Sequence, residues 1–233
     1  MSVSSLFLIA CSGYKAENGR GPVWEIARTR AEWNSFSLFD DSRIKLIDFL
    51  IDLSNDRPRD KNSILRTCPT MAAIERYRGK VYEMAGDSIS KNIDSSSINS
   101  VLIVSSLFGI LHPNDMIPDY ELMMKDKSPS GNRMHEWWRE EFKRYHIVEM
   151  VGALYPGLKN IYCFMSMFTG YVDAVEDLGD RYDMFVVHVQ NGNMYHSPGT
   201  WGKTLKSCLE VGASNPEAVA RIIRPFGCEL QNL

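Results

Sequence analysis

The sequence predicts one α/β domain over residues 1–233, with a mixed or mainly parallel central sheet flanked by helices, and three observations carry this expectation. Short, continuous apolar runs recur at Leu6 to Ala10, Val101 to Val104, Ile161 to Met165 and Met184 to Val189, the pattern of strands buried on both faces. Segments with helical spacing alternate with those runs. Loops rich in glycine, serine or proline follow the strands, which places their carboxyl ends along one edge where ligands bind in open sheets.

Leu6 to Ala10 reads as a central strand closed by Cys11-Ser12-Gly13, and Trp24 to Trp33 as a helix. Residues 40–53 start with Asp40 and Asp41 and continue with Ile44, Ile47, Leu50 and Ile51 at helical spacing, an acidic helix start with an apolar face. Asn55 to Asn62 is charged and interrupted by Pro58, an exposed connection. Thr70 to Tyr77 is expected to be a short helix leading into Arg76-Tyr77-Arg78-Gly79-Lys80-Val81-Tyr82. Ser95 to Ser100 is polar and precedes the second strand. Met134, Trp138, Phe142, Tyr145 and Val148 recur at three- and four-residue spacing and predict one helix of about five turns. A helix near Tyr171 to Leu178 separates the last two strands, and two further helices follow, one after Gly199 and one over Pro216 to Ile223.

At 233 residues and 44% apolar content the chain can bury a full core without covalent staples. A formal charge of -3 excludes a global basic field, so any nucleic-acid contact has to come from a local patch. Five scattered cysteines without CxxC or zinc-ligand spacing fit a reduced, cytoplasmic protein with no metal and no cofactor. The apolar stretch near the N-terminus is too short for a signal peptide or a membrane span.

Three stretches can carry chemistry. Ser12-Gly13-Tyr14-Lys15 combines exposed backbone N–H groups with a point charge, which suits an anion. The loop from Ser105 to Tyr120 is stiffened by Pro113 and Pro118 and offers Ser105, Ser106, His112, Asp115 and Tyr120; the alternative is that Asp115 caps a turn and Tyr120 belongs to the core. Arg76, Arg78 and Lys80 interleave with Tyr77 and Tyr82, either as a clamp for phosphate and base or as a solvated helix end over buried tyrosines. Ser197 to Thr204 is close to a phosphate-binding loop, but Ser197 replaces the first glycine and Pro198 removes a donor, so it reads as a turn entering a helix. His188 alternates with valines and reads as structural, and Met116, Met123 and Met124 as core filler.

Taken together, FLIACSGYK (7–15), YRGKVY (77–82) and SSLFGILHPNDMIPDYELMM (105–124) resemble the YaaA peroxide-stress protein family, over roughly residues 5–165. The resemblance implies a compact α/β fold that gathers the Ser-x-x-Lys loop, the Gly-x-Val-Tyr segment and the proline-flanked Asp/Tyr loop around one cleft. It further implies a part in protecting DNA from peroxide, with duplex binding attributed partly to a lysine-rich helix-hairpin-helix segment. This chain departs from that pattern at His112 and Glu121, where the family usually carries arginine, and residues 190–233 show no basic hairpin.

Two readings of the cleft remain open. In one, a nucleic acid is held by Ser12, Lys15, Arg76, Arg78, Lys80, Ser105 and His112, while Tyr82 and Tyr120 orient a base. In the other, an enzyme acts on a nucleobase, nucleotide or modified base with glycosidase- or transferase-type chemistry. There Ser12 and Lys15 hold an anionic group, Asp115 is general acid or base, and Tyr120 orients the substrate. The expected partner is DNA or a nucleobase- or nucleotide-like small molecule, and no membrane.

Overall fold

The structure, a computed structural model, describes residues 3–54, 60–93, 99–190 and 197–233. In chain order it contains β1 (Ser5–Ala10), α1 (Trp24–Ala27), α2 (Asp40–Ser54), β2 (Met71–Ala72), α3 (Ala73–Arg76), α4 (Lys80–Ile93), β3 (Asn99–Ser105), β4 (Gly109–Leu111) and β5 (Met116–Ile117). There follow α5 (Met134–Arg144), α6 (Ile147–Leu154), β6 (Asn160–Phe164), α7 (Tyr171–Ala174), β7 (Asp183–Val189), α8 (Ser197–Val211), α9 (Pro216–Ile223) and β8 (Cys228–Asn232).

Six strands form one sheet in the order β4-β3-β1-β6-β7-β8. β3, β1, β6 and β7 are parallel, whereas β4 and β8 pair antiparallel at the two edges. Leu6 to Ile9 and Ile161 to Phe164 are fully buried, so helices must cover both faces, as their unbroken apolar runs require. From β1 the chain crosses to β3 on one side and later returns to β6 on the other. That reversal leaves a crevice beyond the carboxyl ends of β1 and β6.

α4 packs along α8 on the side of β3, β6 and β7. The two backbones approach so closely that a Cβ on Gly202 would meet the Val81 carbonyl oxygen at 2.7 Å. This contact gives a structural use to the Ser197–Thr204 stretch: it is the first part of a long helix with Pro198 in its opening turn. On the other side α2 is fixed to α5 by a Ser42–Glu141 hydrogen bond and by Phe39 against the rings of Trp138 and Phe142. Arg43, fully buried, donates to the carbonyl oxygens of Phe108 and Ile110 and to Asn34, and pairs with Asp40 at 3.2 Å. It thereby ties α2 to the β3–β4 hairpin.

Several expectations shift at their edges. The helix over Trp24 to Trp33 ends at Ala27, because Asn34 Nδ2 donates to the Arg28 carbonyl and turns the chain, leaving only a 3₁₀ turn at Ala31–Trp33. Thr70 to Tyr77 divides into β2 and α3, since Met71 and Ala72 pair with Ile117 and Met116. The five-turn helix breaks at His146, which adopts φ 54°; its backbone N–H donates to Lys143 while α6 starts anew and buries Ile147 and Val151. Met124 is core as expected, but Met123 is exposed. The loop after β3 contains two short strands, β4 and β5, that the sequence reading did not anticipate. The exposed connection expected at 55–62 and the polar stretch at 95–100 lie largely outside the described residues.

All five cysteines are free, and burial pushes the thiol of Cys208 up to about 12 and that of Cys228 up to about 11. Among the described residues, no helix is long and apolar enough to cross a membrane.

Replacing Arg43 with methionine keeps the bulk but takes a donor from two buried carbonyls and from Asn34 Oδ1, and a charged partner from the Asp40 carboxylate. The expected loss is about 3 kcal/mol, in the range for breaking a buried, hydrogen-bonded charge. Urea unfolding followed by tryptophan fluorescence would measure it; an unchanged midpoint would mean that α2 is held by apolar packing alone.

Candidate functional site

The crevice required by the strand order is occupied by a cavity of about 710 Å³. Its floor comes from the segment after β1, Cys11 to Gly13, with Tyr14 at the mouth, and from Gly79 to Tyr82 at the start of α4. Its walls come from Phe164 to Thr169 after β6, from the end of β7 and from Trp201 of α8. The lining is predominantly apolar and aromatic, with a few polar groups among floor and walls, the usual composition of a small-molecule site. Trp201 is fixed by its Nε1–H donating to the Val187 carbonyl at 2.7 Å, and Tyr82 by its hydroxyl donating to the Ala10 carbonyl at 2.8 Å.

Next to this floor lies a cluster of buried polar groups. The Tyr120 hydroxyl is 2.8 Å from both the Tyr77 hydroxyl and Ser105 Oγ, and the Tyr77 hydroxyl donates to Ser105 Oγ at 3.3 Å. All three side chains are fully buried. Lys15 pairs through its backbone with Tyr77 and lays its ammonium group over the Tyr120 ring, 4.1 Å from the centroid, a cation–π contact. Cys11 belongs to the cavity and touches this polar region from the other side, with Sγ 3.2 Å from the Tyr171 hydroxyl and 3.8 Å from Ser106 Oγ.

The electrostatics follow from this burial. Desolvation lowers the Lys15 amine below its ordinary 10.5, while Cys11 and Asp119 pull in the opposite direction. Desolvation likewise holds the phenols of Tyr77, Tyr82, Tyr120 and Tyr171 well above their ordinary 10.0. Near neutral pH the phenols are therefore hydrogen-bond donors, and the amine gives up its proton more readily than a solvated lysine does.

The residues nominated by sequence fall into three groups. Ser12, Lys80 and Tyr82 line the cavity, with Ser12 Oγ accepting the Tyr14 N–H at 3.1 Å. Lys15, Ser105 and Tyr120 form the adjoining cluster, in which Tyr120 is shut away from solvent with Lys15 on its ring face. Arg76, Asp115 and His112 hold loops. Buried Arg76 donates to the carbonyls of Ala16, Pro69 and Ile117. Asp115, also buried, accepts from the backbone and hydroxyl of Ser35 and from the backbone N–H of His112. Arg78 is exposed beside the crevice, its backbone N–H bound to the Tyr14 carbonyl, and Lys80 pairs with Glu83 at 2.6 Å. Among the described residues no group of His, Cys, Asp and Glu is placed to hold a metal ion. Cys11, Tyr171 and Trp201 were not nominated, and Tyr77 figured only as an aromatic interleaved with Arg76, Arg78 and Lys80. Cys11 had a visible signal, its place at the end of a central strand, whereas Tyr171 and Trp201 enter from helices whose registry the sequence does not reveal.

The fold and crevice define an open-sheet α/β protein with a ligand cavity at its strand-order reversal. Residues 43–152 match the family model described as peroxide stress protein YaaA. It is also similar to UPF0246 proteins: 38% identical over 71 residues to one from Corynebacterium efficiens, covering 30% of this chain and 27% of the relative. A second, from Bordetella pertussis, is 29% identical over 92 residues, 38% of this chain and 36% of the relative. A third, from Crocosphaera subtropica, is 31% identical over 101 residues, 42% of this chain and 39% of the relative. The matches thus span well under half the length of these relatives. The matched segment contains Tyr77, Ser105 and Tyr120 but not Lys15 or the β6 loop.

Two outcomes follow. Tyr120→Phe removes the hydroxyl shared by Tyr77 and Ser105 and should cost about 1–3 kcal/mol, the range for leaving buried polar groups unsatisfied; denaturant unfolding would reveal it, and no loss would mean the cluster re-pairs around the gap. For Lys15, the folded state holds the proton less tightly than the unfolded chain, whose amine titrates near 10.5. Stability conferred by the wild type relative to Lys15→Met should therefore be lowest at pH below the folded Lys15 pKa and rise as pH climbs through it toward 10.5. Comparing the two proteins cancels the opposing tyrosine titrations, and a difference flat with pH would show that the amine is not desolvated.

Proposed function

We propose that the protein binds, and acts on, a small heteroaromatic molecule of nucleobase or nucleoside type in the crevice beyond β1 and β6. The observation that carries this reading is the cavity itself: about 710 Å³ of largely aromatic and aliphatic lining at the strand-order reversal, with a minority of polar groups, among them Ser12, Ser166 and His188. A flat ring gains from such walls, and its polar edge finds the hydroxyls and backbone groups of the Cys11–Tyr14 segment. In this reading Lys15 and Tyr120 act from behind the cavity lining, the ammonium group on the Tyr120 ring placing positive charge next to the Cys11–Tyr14 segment. The carboxylate of Asp115 serves to shape the loop, its oxygens being taken by Ser35 and His112. A setting in the cytoplasm and in the peroxide response belongs to the same proposal, supported by the family match and by the free cysteines.

A second reading, a nucleic-acid strand laid over the same crevice, draws on exposed Arg78 beside Tyr14 and on Lys80 at the rim. It has less support, since Lys80 is paired with Glu83, Arg76 is fully enclosed, and the net charge is -3.

Trp201 makes the test direct. Adenine, guanine, uracil, thymine and their nucleosides titrated into the protein should change tryptophan emission saturably for at least one compound, with the response lost in Trp201→Phe while binding persists by calorimetry. If no compound binds at millimolar concentration and a labelled duplex binds with affinity falling steeply with salt, the nucleic-acid reading replaces this one.

A further inference from the structure

At the mouth of the cavity two aromatic side chains stand in solvent: Tyr14, 80% exposed, and Phe168, 92% exposed. Both belong to the cavity lining, one after β1 and the other after β6, the neighbouring parallel strands that bound the crevice. Leaving a phenyl ring in water forgoes the gain from burying it, although the apolar cavity wall lies beside it. Something must keep the rings outward.

The two loops do so by the same device. Ser12 stands two residues beyond the last residue of β1, and its Oγ accepts the backbone N–H of Tyr14 at 3.1 Å. Ser166 stands two residues beyond the last residue of β6, and its Oγ accepts the backbone N–H of Phe168 at 3.1 Å. Each strand thus ends in a serine-closed turn that presents an aromatic residue four positions after the strand. Both turns are braced from behind. The Tyr14 carbonyl accepts the Arg78 N–H at 2.9 Å. The Phe168 turn closes on Gly170, whose φ of 79° favours glycine and whose missing side chain makes room for the His135 ring, which a Cβ would meet at 2.8 Å.

We infer that Tyr14 and Phe168 are the two jaws of an aromatic clamp that grips a flat ring from outside the cavity, so that the ligand is a planar heteroaromatic group carried on a polar or anionic extension rather than a globular apolar molecule. The inference rests on the proposed small-molecule site and adds its gripping residues and ligand shape. Each ring stands on its own serine-closed turn and is largely exposed, which leaves its faces open to a ligand. Exposed Arg78, whose backbone N–H is bound to the Tyr14 carbonyl, brings a positive charge next to the Tyr14 turn.

The closing experiment uses two probes on the whole protein. The first is the nucleobase and nucleoside panel; the second is 1-anilinonaphthalene-8-sulfonate, a flat aromatic anion whose emission rises when it is gripped by apolar surface. Tyr14→Ala and Phe168→Ala should each weaken binding of the best panel compound, and of the dye, by about tenfold, the scale of a lost stacking contact. Tyr14→Phe and Phe168→Trp should bind within about twofold of wild type, as ring replacement preserves stacking. Unchanged unfolding midpoints in all four variants would exclude collapse as the cause. Panel and dye binding that persists in both alanine variants overturns the clamp while leaving the cavity reading intact. If no panel compound binds, the cavity reading fails, and the dye alone decides the clamp: loss in the alanine variants upholds it and full retention overturns it.

Discussion

Three buried hydroxyls hydrogen-bonded to one another, with Ser105 Oγ also accepting the Phe108 N–H, organise the crevice edge of this protein. Tyr77, Ser105 and Tyr120 come from the turn before α4, the end of β3 and the proline-flanked loop beyond β5. Because an unpaired hydroxyl in such a place is expensive, each of the three segments is fixed relative to the others. Lys15 then rests on the assembled Tyr120 ring, which places the Ser12–Lys15 turn against the same platform. The amine loses hydration as a result, so its proton affinity is set by the same packing that fixes the loops.

A second layer of ties supports that platform from below. Asp115 anchors the loop to Ser35, Arg76 gathers three separate carbonyls, and Arg43 reaches from α2 to the hairpin of β3 and β4. In each case a buried charged side chain meets mostly backbone groups. Such ties align a particular pair of segments rather than merely adding cohesion, since their geometry is directional where apolar contact is not. The cavity beyond β1 and β6 is consequently framed by loops whose positions are fixed on the side of β1 and α4.

Much of the architecture could be read from residue order. Leu6 to Ala10 and Ile161 to Met165 announced buried strands because both of their faces are covered, and the recurrence of Asp40, Ile44, Ile47 and Leu50 announced α2. β8 escaped notice because an edge strand such as Cys228–Asn232 is half exposed and carries polar residues that resemble a tail. The break at His146 escaped because the apolar spacing continues across it; only the left-handed backbone of one residue separates α5 from α6. At the site, the Ser12–Lys15 turn and Tyr120 were legible as polar groups in a stiff setting. The partners Tyr77, Cys11 and Tyr171 were not, because their meeting depends on the lateral order β3-β1-β6, which local patterns do not encode. Arg76 shows the converse: an arginine amid tyrosines reads like a phosphate clamp, yet in the fold it is enclosed and its terminal nitrogens donate to carbonyls.

The lateral order also has a temporal side. β1 finds its two neighbours far along the chain, Ser5 aligning with Asn99 in β3 and with Asn160 in β6. Its four fully enclosed residues, Leu6 to Ile9, have no local partner to shelter against. During synthesis this strand must therefore wait, apolar and with unpaired backbone groups, until β3 and later β6 emerge from the ribosome. High sequence separation of this kind slows folding and prolongs the interval in which a sticky strand is accessible to other chains. The central position of β1, which makes it the keel of the ligand crevice, thus also makes it the element most dependent on protection while the chain is still being made.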